Sequence, residues 1–308
     1  MTPAHRGHLA MLLFSALVAG SFSLGSMVAN DIAPMALNAA RFIIAAVVIG
    51  IAAQVTHGLR RRNFQAPWRF ILLGGFFAVY FVLMFYGLQT AAPVSAAAVF
   101  TLTPVLSGIF GWLLLRQVTS WRMALALAIG AAGAIWVIFR GDLAAIWAFE
   151  VGRGEVIYFW GCVAHAVYTP MVRLLNRGEP AVVFTFGMLV AGAIILVVVG
   201  WADISATDWV GLSPLVWLVL LYVALIASAA TFVLLQYATL HLPSAKVMAY
   251  TYLTPSWVIL WEIALGRPAP GGIVALGVLC TIWALWLLLR EGRPPMAAAE
   301  AGGSASIR

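Results

Sequence analysis

Long apolar runs separated by short polar stretches recur from residue 8 to residue 290. The first covers 8–28; nine more fall at 34–56, 67–90, 92–115, 120–139, 153–175, 180–202, 211–239, 242–265 and 270–290. Each is near the ~20 residues that cross a ~30 Å hydrocarbon core at 1.5 Å rise per residue. Short alternating segments, as in a membrane β-barrel, are not the pattern. The runs predict an all-α polytopic membrane protein of ten transmembrane helices. Short connections make consecutive spans antiparallel neighbours. The first run is too long for a signal-peptide core and lacks a small-residue cleavage site, so it counts as a span. Residues 291–308 are rich in Pro, Ala, Gly and Ser and are expected to form a disordered cytoplasmic tail.

One pattern occurs twice. Residues 93–115 read PVSAAAVFTLTPVLSGIFGWLLL, and 243–265 read PSAKVMAYTYLTPSWVILWEIAL. Both open on Pro with a Ser-Ala pair and pass through Leu-Thr-Pro, so Thr103-Pro104 matches Thr254-Pro255. A proline deep in a span frees a backbone carbonyl and bends the helix. Lipid cannot satisfy that carbonyl, so the bend is expected to face protein or a cavity. Other pairs extend the repeat: Arg6-Gly7 with Arg153-Gly154, Tyr86 with Tyr237, Gly130 with Gly277, and Ile135-Trp136 with Ile282-Trp283. Each half then holds five spans. Five is odd, so the halves insert upside down relative to each other, as residues 1–145 and 146–290. Inverted repeats place a site near the midplane between them.

Composition agrees, with 64% apolar and 9% charged residues and a mean hydropathy of +1.03. The net charge of +7 comes from arginines between spans, so it implies no nucleic-acid partner. With the N-terminus inside, one side collects Arg6, Arg60, Arg61, Arg62, Arg69, Arg116, Arg122, Arg173, Arg177, Arg290, Arg293 and Arg308. The other collects Arg140, Arg153 and Arg267. The positive-inside rule therefore places both termini in the cytoplasm. Trp68, Trp121, Trp147, Trp201 and Trp209 sit near span ends as interfacial anchors. Cys162 and Cys280 lie inside spans and are expected to be free thiols.

Ten spans in two halves, with Pro34 and Arg41 in the second span and the paired Ser-Ala…Leu-Thr-Pro helices, resemble the drug/metabolite transporter superfamily, EamA type. The resemblance covers about residues 7–290, and the aromatic-rich spans are most similar to the YddG-type exporters of aromatic and other amino acids. Repeats of this type often end these helices in Gly-Glu; here Arg116-Gln117 and Gly266-Arg267 stand instead. The resemblance implies an inner-membrane secondary transporter that exports small amphipathic metabolites, amino acids above all, by alternating access.

Polar residues within spans are costly and are the candidate site. Arg41 lies roughly 10 Å into its span, by 1.5 Å per residue from Pro34. It can meet a substrate carboxylate or tie a helix end. Lys246, Tyr250, Thr254, Trp257 and Trp261 share one helical face, which suits an amphipathic ligand or a snorkelling lysine on packed aromatics. Tyr158, Cys162, His165, Tyr168 and Thr169 form a second stripe, with His165 near mid-membrane. The two stripes are expected to form opposite walls of one cavity. Tyr80 and Thr101 add polar groups, Pro104 and Pro255 are candidate hinges, and some of Phe76, Phe77 and Phe81 are expected to face lipid. Glu262, the one acidic residue clearly inside a span, lies near its end. No acidic cluster marks a metal site, and no cofactor is expected. There is no G-x-x-x-x-G-K-[ST] motif for ATP and no H-E-x-x-H, paired midplane Asp or sequence-local Ser-His pair for an intramembrane enzyme. A channel is a second alternative. The expected partners are a small-molecule substrate and membrane lipid, and a monomer can suffice.

Overall fold

The structure, a computed structural model, describes residues 2–118, 120–148, 150–269 and 271–290. The expected tail, with Arg293 and Arg308, lies outside the described residues. The spans are α1 Pro3–Val28, α2 Pro34–His57 and α3 Trp68–Leu88, then α4 in two pieces, Pro93–Phe100 and Thr103–Leu115, and α5 Trp121–Ile138. The second half holds α6 Arg153–Leu175, α7 Ala181–Val199, α8 Pro214–His241, α9 and α10 Gly272–Arg290. Helix α9 runs through Ser244–Ala249, a 3₁₀ turn Tyr250–Leu253 and Thr254–Ala264. Short helices Leu143–Ala148 and Trp201–Ala206 lie between spans. No strand occurs among the described residues.

Eight helices are individually long and apolar enough to cross a membrane. The other two are α6, whose length includes Arg153, Glu155, His165 and Arg173, and α9, whose length is divided by its break. Local chemistry sets several starts. Pro34, Pro93 and Pro214 occupy first turns, where no backbone N–H is needed. The hydroxyls of Ser120 and Ser213 accept from the amides of Met123 and Val216, capping α5 and α8. The first span begins at Pro3, five residues before the start expected from hydropathy, because Thr2 caps it by accepting from the His5 amide.

Packing repeats itself under exchange of the halves. Helix α3 lies along α6 as α1 lies along α8; α4 meets α6 as α9 meets α1; α3 meets α7 as α2 meets α8. Three pairs are their own counterparts: α2 with α7, α4 with α9 and α5 with α10. The α5–α10 contact is reciprocal at close range. A Cβ on Gly133 would lie 2.6 Å from the Gly277 carbonyl oxygen, and a Cβ on Gly277 2.6 Å from that of Gly133. Only glycine lets these backbones approach so closely. Buried aromatics fill the middle of the bundle, while exposed leucines, valines and tryptophans form the outer belt.

Candidate functional site

Arg41 enters the protein core from α2 and is fully buried. Its Nε donates to Ser228 Oγ at 2.5 Å and its Nη2 to the Ala227 carbonyl at 3.0 Å. The guanidinium also lies 3.7 Å above the Phe81 ring, a cation–π contact. Both hydrogen-bond partners sit in a π-helical stretch of α8, Tyr222–Ala230. A π-turn displaces carbonyls from the α-helical ladder and commonly marks functional segments. Here the Ala227 carbonyl also accepts from Thr231 Oγ1, and Ser228 Oγ donates to the Val223 carbonyl. Arg41 is thus held by one hydroxyl and one carbonyl, and its Nη1 has no protein hydrogen-bond partner. Nothing in the local sequence of α8 signals the π-stretch, which arises where α2 and α1 pack against it.

Beside Arg41 lies a continuous aromatic stack. Phe77 of α3 stacks on Tyr168 at 4.3 Å and on His165 at 5.3 Å between ring centres. His165 stacks on Tyr80 at 4.5 Å. The Tyr80 and Tyr158 hydroxyls hydrogen-bond at 3.1 Å. Phe232 of α8 packs edge-on to Phe77, Phe100 of α4 touches His165 and Tyr80, and Phe22 of α1 meets the edge of Tyr158. Helices from both halves therefore converge on α6. The stack is closed to solvent: Arg41, Tyr80, Tyr158, His165 and Tyr168 are each at most 1% exposed. Some of its polar atoms lack protein partners, namely His165 Nδ1 and Gln236 Oε1. Gln236 Nε2 donates to the Tyr168 hydroxyl at 2.9 Å, which itself donates to Met188 Sδ.

The α9 stripe sits elsewhere along the bundle. The Tyr250 hydroxyl bonds His8 Nδ1 at 3.0 Å, and Trp257 Nε1 donates to Ser15 Oγ at 3.3 Å, both on α1. Lys246 is buried one turn before Tyr250. His8, Ser15 and Phe22 are spaced by seven residues, so they share one face of α1. That face meets Tyr250, Trp257 and then Tyr158. The α9 stripe thus reaches α1 through Tyr250 and Trp257, whereas the α6 stripe meets α1 at Tyr158 and packs His165 and Tyr168 against Phe77, Tyr80 and Phe100. Of the three phenylalanines of which some were expected to face lipid, Phe76 is part-exposed and lines an outer apolar groove, whereas Phe77 and Phe81 are 1% exposed and belong to the buried stack. Phe77 stands three residues before Tyr80 and four before Phe81, on one helical face, and that spacing was the available signal.

Thr101 is buried, and its hydroxyl donates to the Ala98 carbonyl within α4. Pro104 cannot donate to the Phe100 carbonyl; the Thr103 hydroxyl does so instead. Pro255 lies in the first turn after the 3₁₀ segment, so both breaks fall at the Leu-Thr-Pro positions. Glu262 is buried and pairs with Arg267 at 2.8 Å near the end of α9. Cys162 and Cys280 are free.

One buried pair was not anticipated. Arg69, 1% exposed, bonds Glu179 at 2.7 Å and the carbonyls of Gln65 and Leu175. It ties the α2–α3 loop to the α6–α7 loop. Burial alone would push the Glu179 carboxyl up; the Arg69 guanidinium and the Arg177 amide reverse this and hold it below the usual carboxylate range. The sequence counts Arg69 as one loop charge among many, and its acidic partner stands 110 residues away.

An all-helical bundle of two inverted halves, with a buried arginine and an aromatic core where they meet, defines a multi-pass membrane protein of repeat architecture. The chain belongs to the EamA-like transporter family, whose profile matches it twice, over residues 5–139 and 152–290. It is a membrane transporter. It is 25% identical to the uncharacterized transporter YyaM of Bacillus subtilis, over 88% of this chain and 92% of that one. It is 24% identical to an S-adenosylmethionine/S-adenosylhomocysteine transporter of Chlamydia trachomatis, over 58% of this chain and 56% of that protein. A crystal structure of a protein at 21% identity superposes with a TM-score of 0.69, over 92% of this chain and 95% of that one, a likeness of fold.

Proposed function

We propose that this transporter exports amino acids and related amphipathic metabolites across the inner membrane, by alternating access. The observation that carries the reading is Arg41: a cation buried at membrane depth, held by a hydroxyl and a carbonyl, with one N–H face unpartnered. The free Nη1 can donate a charge-assisted hydrogen bond to a substrate carboxylate. Tyr80, Tyr158, His165 and Tyr168 supply the apolar and stacking surface for the rest of the molecule. Each aromatic contact contributes about 0.5–1.5 kcal/mol. Lys246, Tyr250 and Trp257 form the second group, nearer the arginine-rich end. Pro104 and Pro255 mark the hinges about which the halves exchange access. With both termini cytoplasmic, the arginine-rich end is the cytoplasmic one.

The relative named as an S-adenosylmethionine/S-adenosylhomocysteine transporter supports a second reading within the same chemistry. Such a substrate joins an amino-acid end to an aromatic base, so it would use Arg41 and the stack together. The test is counterflow into liposomes holding purified protein, with a panel of neutral, aromatic and nucleoside-linked amino acids and their decarboxylated amines. Saturable counterflow of the acids, with the amines excluded and Arg41→Gln inactive, is the expected result. Ohmic conductance would make the protein a channel, a covalent product would make it an enzyme, and equal transport of acids and amines would remove Arg41 from the substrate site.

A further inference from the structure

The arginine-rich end carries a cleft of about 570 Å³ between the α2–α3 and α6–α7 loops, separate from the buried stack. Arg60, Arg62, Arg177 and His57 line it, and all are exposed. Its one acidic wall residue, Glu179, is not available to neutralise them. One carboxylate oxygen is taken by buried Arg69 and the other by the Arg177 amide. No ion pair engages the Arg60, Arg62 or Arg177 side chains among the described residues. The Arg69–Glu179 pair thus closes the floor of the cleft and leaves its cationic rim uncompensated. The opposite end of the molecule has the reverse sign: a smaller cleft of about 430 Å³ there is lined by Asp31, Asp203 and Asp208.

From this geometry we infer that the Arg60–Arg62–Arg177 cleft is a binding site for a phosphate-bearing anion. Guanidinium groups present paired N–H donors that match phosphate oxygens, and three converging from two loops can hold one phosphate from several sides. The cleft lies beside the first turn of α3, where Arg69 forms part of its wall. Ile71 and Leu72 of that helix line an apolar groove on the outer surface beside α7. A phosphate that carries acyl chains would meet both surfaces, whereas free phosphate would use the cleft alone. Basic pockets at the ends of spanning helices recognise anionic headgroups by this chemistry.

The experiment uses the purified full-length protein in detergent. Binding is read by native mass spectrometry and by thermal shift, with short-chain phosphatidylglycerol, short-chain phosphatidylcholine and inorganic phosphate as separate probes. Phosphatidylglycerol is expected to bind and stabilise, and phosphatidylcholine to do neither. Each of Arg60→Gln, Arg62→Gln and Arg177→Gln should weaken phosphatidylglycerol binding about fivefold, and the triple variant about a hundredfold. Arg122→Gln, at the same end but outside the cleft, should leave it unchanged. Displacement of the lipid by millimolar phosphate assigns the headgroup alone as the ligand; resistance to phosphate assigns the acyl chains a share. Equal binding of the two lipids, or a triple variant indistinguishable from Arg122→Gln, overturns the inference. The three arginines are exposed, and unchanged thermal stability of the variants without ligand checks that folding is intact.

Discussion

Helices α4 and α9 carry the same Leu-Thr-Pro pattern and break at matching places, but they accommodate the break differently. In α4 the break occupies two residues. The amides of Thr101 and Leu102 bond carbonyls three residues back, and the hydroxyls of Thr101 and Thr103 satisfy the carbonyls of Ala98 and Phe100. Both threonine hydroxyls at that break are spent within the helix. In α9 the break is a 3₁₀ turn of four residues, and the buried hydroxyls of Thr251, Thr254 and Ser256 have no protein partner. Its outward bonds go to α1 through Tyr250 and Trp257. Symmetry of the fold dictates where the chain bends, while the side chains decide whether the bend is self-contained. Under the proposed function, α9 is expected to be the break that exchanges partners and α4 the one that holds.

That contrast can be broken by experiment. The reference is Arg41→Gln, which lies off both breaks and should lower counterflow about a hundredfold by removing charge-assisted hydrogen bonds. Arg41→Lys should not restore it, because a lysine cannot reproduce the fork. Flux per reconstituted molecule measures both. Next in size, Pro255→Ala should slow transport about tenfold and Pro104→Ala less than about threefold, since gating is assigned to α9. Equal effects would erase the distinction between the two hinges. Third, Thr103→Val should cost about 1–2 kcal/mol by stripping the Phe100 carbonyl of its donor, whereas Thr254→Val should cost nothing. Thermal denaturation in detergent reads this as a Tm lowered by a few degrees in the first and held or raised in the second.

The smallest effect concerns a site remote from both breaks. Glu179 has a carboxyl held below its ordinary range, so its contribution to stability is present above the unfolded glutamate value of about 4.3 and is lost as pH falls through the lower folded value. Thermal stability of the wild type should therefore fall more steeply on acidification in that window than that of Glu179→Gln. Parallel profiles would mean that Arg69 is held by the Gln65 and Leu175 carbonyls alone.

Much of this architecture was legible in one sequence because its causes are local. Twenty apolar residues, a proline in a span and a duplicated Leu-Thr-Pro each act within a few turns of helix, so hydropathy and spacing reveal them. Arg41 was legible for the same reason: an arginine in a span has to be accounted for. What it touches was not. Its partners, Ser228 and Ala227, are presented by a π-stretch that no residue of α8 demands by itself, and they lie 187 and 186 residues away. The different partners of the two aromatic stripes failed to show for a related reason. Helical spacing says which residues share a face, but only the packing of α1 between the halves says which neighbours that face meets. Phe76, Phe77 and Phe81 illustrate the point: a phenylalanine suits lipid and core equally well, and only packing separates the part-exposed Phe76 from the buried other two.

The glycine contact between α5 and α10 has a consequence of a different kind. Gly133 and Gly277 each press on the other's carbonyl, so the interface is isologous, as in a two-fold homodimer, although one chain supplies both sides. In such an interface a single residue type completes both surfaces, and a half-length chain able to insert in either orientation could close it with its own copy. Fusion into one chain frees the two positions to mutate separately but leaves them mechanically joined. A side chain added at either glycine displaces both backbones, so the tolerated route to change at one is a compensating change along the other. The two halves are therefore bound to co-adapt along this seam even where, as in α4 and α9, their chemistry has diverged.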